Sequence, residues 1–163
     1  MSLDPRRTVV FPANNGQIWL GEKKLGHGAG FLNGFGGKVE VGESVEQALV
    51  RECEEEVGIT PTSFRQIAEL EFYNQSAQKD DRRITLLTYL CDAWLGTPHE
   101  TDEMKPVLFN LYELPLERMW PSDRLWLPRA LGGELLHGEI YLGKGGLIKV
   151  YDFERVDSFE KAA

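Results

Sequence analysis

The chain has 163 residues, 42% apolar and 27% charged; this is ordinary globular usage, and the length suits one domain spanning residues 1–163. Its 18 Lys and Arg stand against 26 Asp and Glu, a formal charge of −8, which lacks the basic footprint of a nucleic-acid binder. Two cysteines, Cys53 and Cys91, are too few for a disulfide framework, and no apolar run approaches the roughly 20 residues that span a bilayer.

Met1 to Val10 carry no apolar run of signal-peptide length. The expectation is a soluble, cytoplasmic protein without a membrane or nucleic-acid partner. In chain order, Thr8–Phe11 and Gln17–Gly21 read as strands joined at Asn15-Gly16, a strong hairpin signal. Eight of the 17 glycines fall between Gly21 and Gly42, so that segment reads as mostly loop. Ser44 and Gln47 form a capping box. Val45, Ala48, Leu49, Cys53 and Val57 recur at helical spacing, and Gly58 and Pro61 follow. A helix is predicted over Val45–Val57. Ile67–Tyr73, Ile84–Trp94 and Val107–Leu111 read as strands, with Asn74–Arg83 as a hairpin loop. Leu114–Met119 reads as a short helix, and Ser122 as the cap of another that Pro128 kinks or ends. Glu139–Leu142 and Leu147–Phe153 complete the strands. The pattern predicts an α+β fold, a mixed β-sheet sandwiched between helices.

The first helix is too acidic for its own good. Glu52, Glu55 and Glu56 share one sector, and each like-charge pair destabilises an isolated helix by a few tenths of a kcal/mol. Acid at a helix C-terminus also opposes the dipole. Leu49, Cys53 and Val57 define the buried stripe; Glu52 and Glu56 lie at its edge, and Glu54 faces away. An acidic run alone is ordinarily a solvated face, but carboxylates at the rim of a core suit Mg²⁺ or Mn²⁺ completed by phosphates.

The whole segment is more specific. Gly37, Glu43 and Arg51-Glu52-Cys53-Glu54-Glu55-Glu56-Val57-Gly58-Ile59 resemble the Nudix hydrolase signature, Gly-x5-Glu-x7-Arg-Glu-U-x-Glu-Glu-x-Gly-U, where U is bulky and apolar. Cys53 stands at one apolar place. The resemblance implies a Nudix fold with α/β/α layering, Mg²⁺ (or Mn²⁺) held by Gly37, Glu52, Glu55 and Glu56, and a catalytic set of Glu56, Glu52, Glu55, Glu43 and Arg51. Glu56 is the first candidate for general base. Glu43 pairs with Arg51 or supports the metal shell.

Further stretches, among them Gly28-Ala29-Gly30, Asn33-Gly34-Phe35-Gly36-Gly37-Lys38-Val39, Asp102-Glu103-Met104 and Met119-Trp120-Pro121, resemble the MutT-type members over about Thr8 to Val156. Those members hydrolyse oxidised purine nucleoside triphosphates such as 8-oxo-dGTP to the monophosphate and pyrophosphate, sanitising the nucleotide pool. The resemblance implies substrate contacts at Thr8, Lys23, Asn33, Gly36, Gly37, Phe72, Met104, Trp120 and Asp123, and a further metal acid at Glu103. It implies a small-molecule nucleoside triphosphate as partner and a monomer or homodimer. There are departures: mammalian members carry two aspartates where this chain has Ser122-Asp123, a Phe where it has His27 and a Trp where it has Leu32. The loss of a coupled carboxyl pair predicts a narrower substrate range. Other nucleoside diphosphate derivatives (ordinary dNTPs, dinucleoside polyphosphates, nucleotide sugars) remain alternatives, as does a non-catalytic nucleotide-binding module.

Overall fold

A computed structural model describes residues 5–159; the ends of the expected 1–163 domain lie outside the described residues. Strand β1 (Arg6–Asn14) turns back into β2 (Gln17–Lys23) through Asn15 (φ 52°) and Gly16 (φ 75°). Two successive positive φ values are what a tight hairpin turn requires, and Asn-Gly supplies them at least cost. The glycine-rich segment is not all loop. It contains β3 (Leu32–Asn33) and β4 (Phe35–Lys38), and β4 pairs antiparallel with β1, Val9 opposite Gly36 and Thr8 opposite Gly37. Glycine has little strand preference of its own; the β1 partner imposes this strand.

Helix α1 runs over Val45–Val57, with the Ser44–Gln47 capping box formed and Gly58 left-handed at its end (φ 73°). Strand β5 (Thr60–Asn74) starts seven residues before the predicted Ile67 and carries register shifts near Pro61, Ser63 and Gln66. Those bulges hide its alternation from sequence. It pairs antiparallel with β6 (Arg83–Leu95). Strand β7 (Met104–Asn110) lies beside β2. Leu114–Met119 provides only a single 3-10 turn, Leu116–Arg118.

Helix α2 (Asp123–Leu131) continues past Pro128. The missing N–H and the ring's clash with the preceding turn cost about 3 kcal/mol or more in a helix interior, but Trp126, Leu127 and Ala130 are buried around it, each large side chain contributing about 1.5–3 kcal/mol. Ser122 makes no side-chain cap. Strands β8 (Leu135–Leu142) and β9 (Ile148–Val156) form the last hairpin.

The strand order is β3-β2-β1-β6-β5-β8-β9, with β4 on β1 and β7 on β2. The β1–β6 and β5–β8 pairs are parallel and the others antiparallel. Consecutive residues of a strand point to opposite faces. Val10 joins Ala48, Leu49 and Cys53 of α1 in one apolar cluster, while Phe11 joins Trp126 and Leu127 of α2 in the other. The sheet therefore lies between the two helices. Among the described residues no helix is long and apolar enough to cross a membrane.

Candidate active site

The site forms where β4 lies beneath the C-terminal half of α1. Two glycines are needed there for different reasons. A Cβ on Gly36 would collide with the backbone carbonyl of Thr8, whereas one on Gly37 would sit 2.5 Å from Glu52 Oε1. Bare backbone thus brings β4 against both β1 and the glutamates.

Arg51 organises the acidic helix. Its Nε donates to Glu43 Oε1 at 2.6 Å and its Nη2 to Glu43 Oε2 at 3.1 Å. Nη1 donates to Glu52 Oε1 at 2.9 Å and Glu55 Oε2 at 3.3 Å, and Nη2 to the Lys38 carbonyl at 3.1 Å. One cation so offsets repulsion among three carboxylates. The Glu43 bonds hold the Arg51 pKa above its usual value, and the Arg51 bond holds that of Glu43 below its own.

Glu56 is 5% exposed. Its Oε1 accepts the Gly36 N–H at 3.3 Å, while Oε2 is buried without a partner. Burial, then the Glu52 charge, push its pKa up; the Gly36 N–H opposes them and Glu103 adds to them. Loop 96–103 anchors this end of α1. Thr101 Oγ1 donates to the Glu56 carbonyl at 2.7 Å and the His99 N–H to that of Val57 at 3.1 Å. These bonds satisfy carbonyls that a helix end leaves open. No spacing in the sequence pointed to His99 or Thr101.

Two adjoining cavities meet here. One of about 490 Å³ is lined by Glu52, Glu56, Glu103, Lys23 and Met104. The other, of about 640 Å³, is lined by Thr8, Gly37, Phe72, Ser122 and Asp123. Val9, His27, Phe31, Asn33, Gly36 and Trp120 line both. Every expected substrate residue therefore lies on one cavity or the other, though Met104 falls at the carboxylate end and is largely core. Glu43, Arg51 and Glu55 line neither, although Arg51 Nη1 bonds Glu52 and Glu55 together.

Among the described residues, no three His, Cys, Asp or Glu side chains converge as a formed metal cluster. The donors nevertheless fit a divalent ion: Glu52, Glu56 and Glu103 offer hard oxygens to one cavity, and Glu56 Oε2 is a buried acceptor lacking any donor.

In the larger cavity, Asp123 is 6% exposed and Oδ2 accepts the Trp120 N–H at 3.1 Å. Burial pushes its pKa up to about 7, against the lowering effect of Trp120 and Trp126. The Trp126 indole N–H, close enough to exert that effect, makes no hydrogen bond of good geometry. Thr8 Oγ1 is also buried without a partner. Asn33 Oδ1 accepts the Gly34 N–H at 2.8 Å. Trp120 is not an open platform. His27 stacks on it at 5.1 Å and 27°, and Phe31 meets it edge-on at 4.8 Å. Leu32, where mammalian MutT-type members have a Trp, is fully buried in the α2-side core.

The NUDIX domain matches residues 3–130. The chain is 40% identical over 126 residues to the oxidized purine nucleoside triphosphate hydrolase of Danio rerio, covering 76% of this chain and 78% of that protein. It is 34% identical over 160 residues to the protein of the same name from Mus musculus, covering 98% and 100%. The crystal structure of the mutator MutT protein from Bacillus halodurans superposes with a TM-score of 0.79 at 24% identity, over 91% of this chain and 97% of that one.

Proposed function

The chain belongs to the Nudix family of hydrolases, and from that premise we propose that it hydrolyses oxidised purine nucleoside triphosphates, 8-oxo-dGTP among them, to the monophosphate and pyrophosphate. One observation carries this reading: a carboxylate-lined cavity and an aromatic-lined one share Asn33, Gly36 and Trp120 as a common wall. A polyphosphate in the first remains joined to a purine in the second. The relatives named as oxidized purine nucleoside triphosphate hydrolases support the substrate class.

Glu52, Glu55, Glu56 and Glu103, with the Gly37 backbone, would hold Mg²⁺ or Mn²⁺. When bound, the ion supplies charge against the phosphates and lowers the pKa of water. Glu56 takes the proton of the attacking water as a phosphoanhydride bond breaks and pyrophosphate leaves. Lys23 faces the phosphates. Glu43 and Arg51 are positioning residues that fix Glu52.

Phe72 flanks the purine, Trp120 borders it beside the stacked His27, and Thr8, Asn33 and Asp123 meet its edges. Oxidation at C8 turns N7 from an acceptor into a donor, and a site of buried hydrogen bonds rejects the mismatched base strongly. With Ser122 beside it, Asp123 titrates without a carboxyl partner, which narrows the set of oxidised edges accepted. The protein acts on free nucleotides in the cytoplasm, as a monomer or homodimer.

The test is a panel with Mg²⁺ and resolved products: 8-oxo-dGTP, 2-hydroxy-dATP, dGTP, dATP, ADP-ribose and a dinucleoside polyphosphate. The reading requires the highest kcat/KM on 8-oxo-dGTP, with pyrophosphate released. A preference for ADP-ribose or the dinucleoside polyphosphate overturns it, and nucleotide binding without hydrolysis assigns a binding module instead.

A further inference from the structure

Glu56 and Glu103 reach the carboxylate cavity from different elements, the end of α1 and the loop that leads into β7. Like charges on separate elements repel, so another contact must hold the two together. One hydroxyl makes that join. Thr101 Oγ1 donates to the Glu56 carbonyl at 2.7 Å and accepts the Glu103 N–H at 3.3 Å. The Thr101 N–H donates to the Met104 carbonyl at 3.0 Å, which closes the turn around Glu103. Lys24 holds the same turn from the other side. Its Nζ donates to the Thr101 carbonyl at 2.7 Å and its backbone N–H to the Glu103 carbonyl at 3.0 Å. The backbone of Glu103 is thus fixed at both its N–H and its carbonyl, next to Lys23, which lines the same cavity.

We infer that Thr101 is a positioning residue of the metal site: its hydroxyl ties the backbone of Glu103 to the end of α1, so that Glu103 and Glu56 face one divalent ion together. The inference rests on the metal-ion reading of these glutamates. Glu103 is exposed, so burial does not fix its side chain, and its backbone must. The join needs a group that donates and accepts at once, which a hydroxyl does. Valine is close to threonine in shape and does neither. It would leave the Glu56 carbonyl without this donor and the Glu103 N–H without this acceptor. Removing a partner that orients a metal ligand typically costs about 10–100-fold in metal affinity or activity.

The test compares the wild-type protein with Thr101→Val, Thr101→Ala, Thr101→Ser, Glu103→Gln and the double variant Thr101→Val with Glu103→Gln. Two hydroxyl-free variants are used so that a folding defect in one, read by thermal melting, leaves the other. Mn²⁺ binding is titrated by electron paramagnetic resonance without nucleotide, and kcat and KM for 8-oxo-dGTP are measured with Mg²⁺. Loss of the hydroxyl should weaken Mn²⁺ binding about tenfold and lower kcat by a similar factor, with a smaller change in KM. Thr101→Ser, which keeps the hydroxyl, should restore both. With Glu103→Gln already present, Thr101→Val should weaken Mn²⁺ binding little further, because its effect passes through Glu103. Mn²⁺ binding unchanged in both hydroxyl-free variants overturns the inference and leaves the proposed activity standing. Equal weakening by Thr101→Val and Thr101→Ser overturns it, since packing is then the cause. So does a full further loss in the Glu103→Gln background, since Glu103 is then not the route. Weakening by Thr101→Val that Thr101→Ser restores, with no nucleotide hydrolysed by any of the proteins, supports the inference and overturns the activity. Failure of the wild-type protein to bind Mn²⁺ overturns the metal-ion reading and this inference with it.

Discussion

Gly37 and Glu52 are in contact: a Cβ on Gly37 would sit 2.5 Å from Glu52 Oε1. The atom in the way is the end of a flexible side chain, so Gly37→Ala leaves the fold and displaces the carboxylate. At Gly36 the obstacle is the Thr8 backbone, which cannot swing aside. Denaturant unfolding should show Gly36→Ala destabilised by about 1–3 kcal/mol or more and Gly37→Ala by less than about 1. Turnover by Gly37→Ala should nonetheless fall about tenfold or more, since a misplaced group costs rate more than stability. Equal loss of stability in the two variants would contradict this division.

Arg51 reaches Glu43, Glu52, Glu55 and Lys38 with one planar fork. Lysine keeps the charge and loses the fork. Arg51→Lys should lower stability by about 1–2 kcal/mol and reduce kcat more than it raises KM, because Glu52 loses its fixed position. Calorimetry and steady-state kinetics read the two effects separately; a rise in KM alone would make Arg51 a substrate contact.

These two glycines also explain what the sequence conceals. The Ser44–Gln47 box and the Leu49, Cys53, Val57 stripe gave α1 its observed limits, because both are local. Strand β4 was not legible: Gly36 and Gly37 carry no strand preference, and their conformation comes from β1, some 28 residues away by register. The bulges near Pro61 and Gln66 masked half of β5. In the candidate site, Glu52 and Glu56 were legible at the edge of the apolar stripe. The Arg51 fork that joins Glu43, Glu52 and Glu55 and the His27 stack on Trp120 arise only in three dimensions.

Asp123 makes stability depend on pH. Its folded pKa is about 7 against a usual 3.8, so between these values the folded protein binds a proton that the unfolded chain has lost. The contribution is complete below about pH 4 and disappears as pH rises through about 7. Asp123→Asn removes the titration. Relative to that variant, the wild-type protein should lose unfolding free energy between about pH 5 and 8 in urea melts at each pH. Parallel pH profiles would refute the assignment.

Glu56→Gln separates folding from catalysis. It replaces a buried carboxyl that burial and Glu52 hold above its usual pKa with a neutral amide of similar shape. Thermal stability at neutral pH should be unchanged or higher. Turnover should drop by about 10²–10⁴-fold. A variant that is both less stable and still active would remove Glu56 from the proposed chemistry.

Titration of the intact protein with Mn²⁺, followed by electron paramagnetic resonance, tests the account at its root. The wild-type chain should bind the ion, Glu52→Gln and Glu56→Gln should each weaken that binding about tenfold or more, and a chelator should stop hydrolysis. Equal Mn²⁺ binding by all three proteins, with hydrolysis indifferent to the chelator, would contradict it.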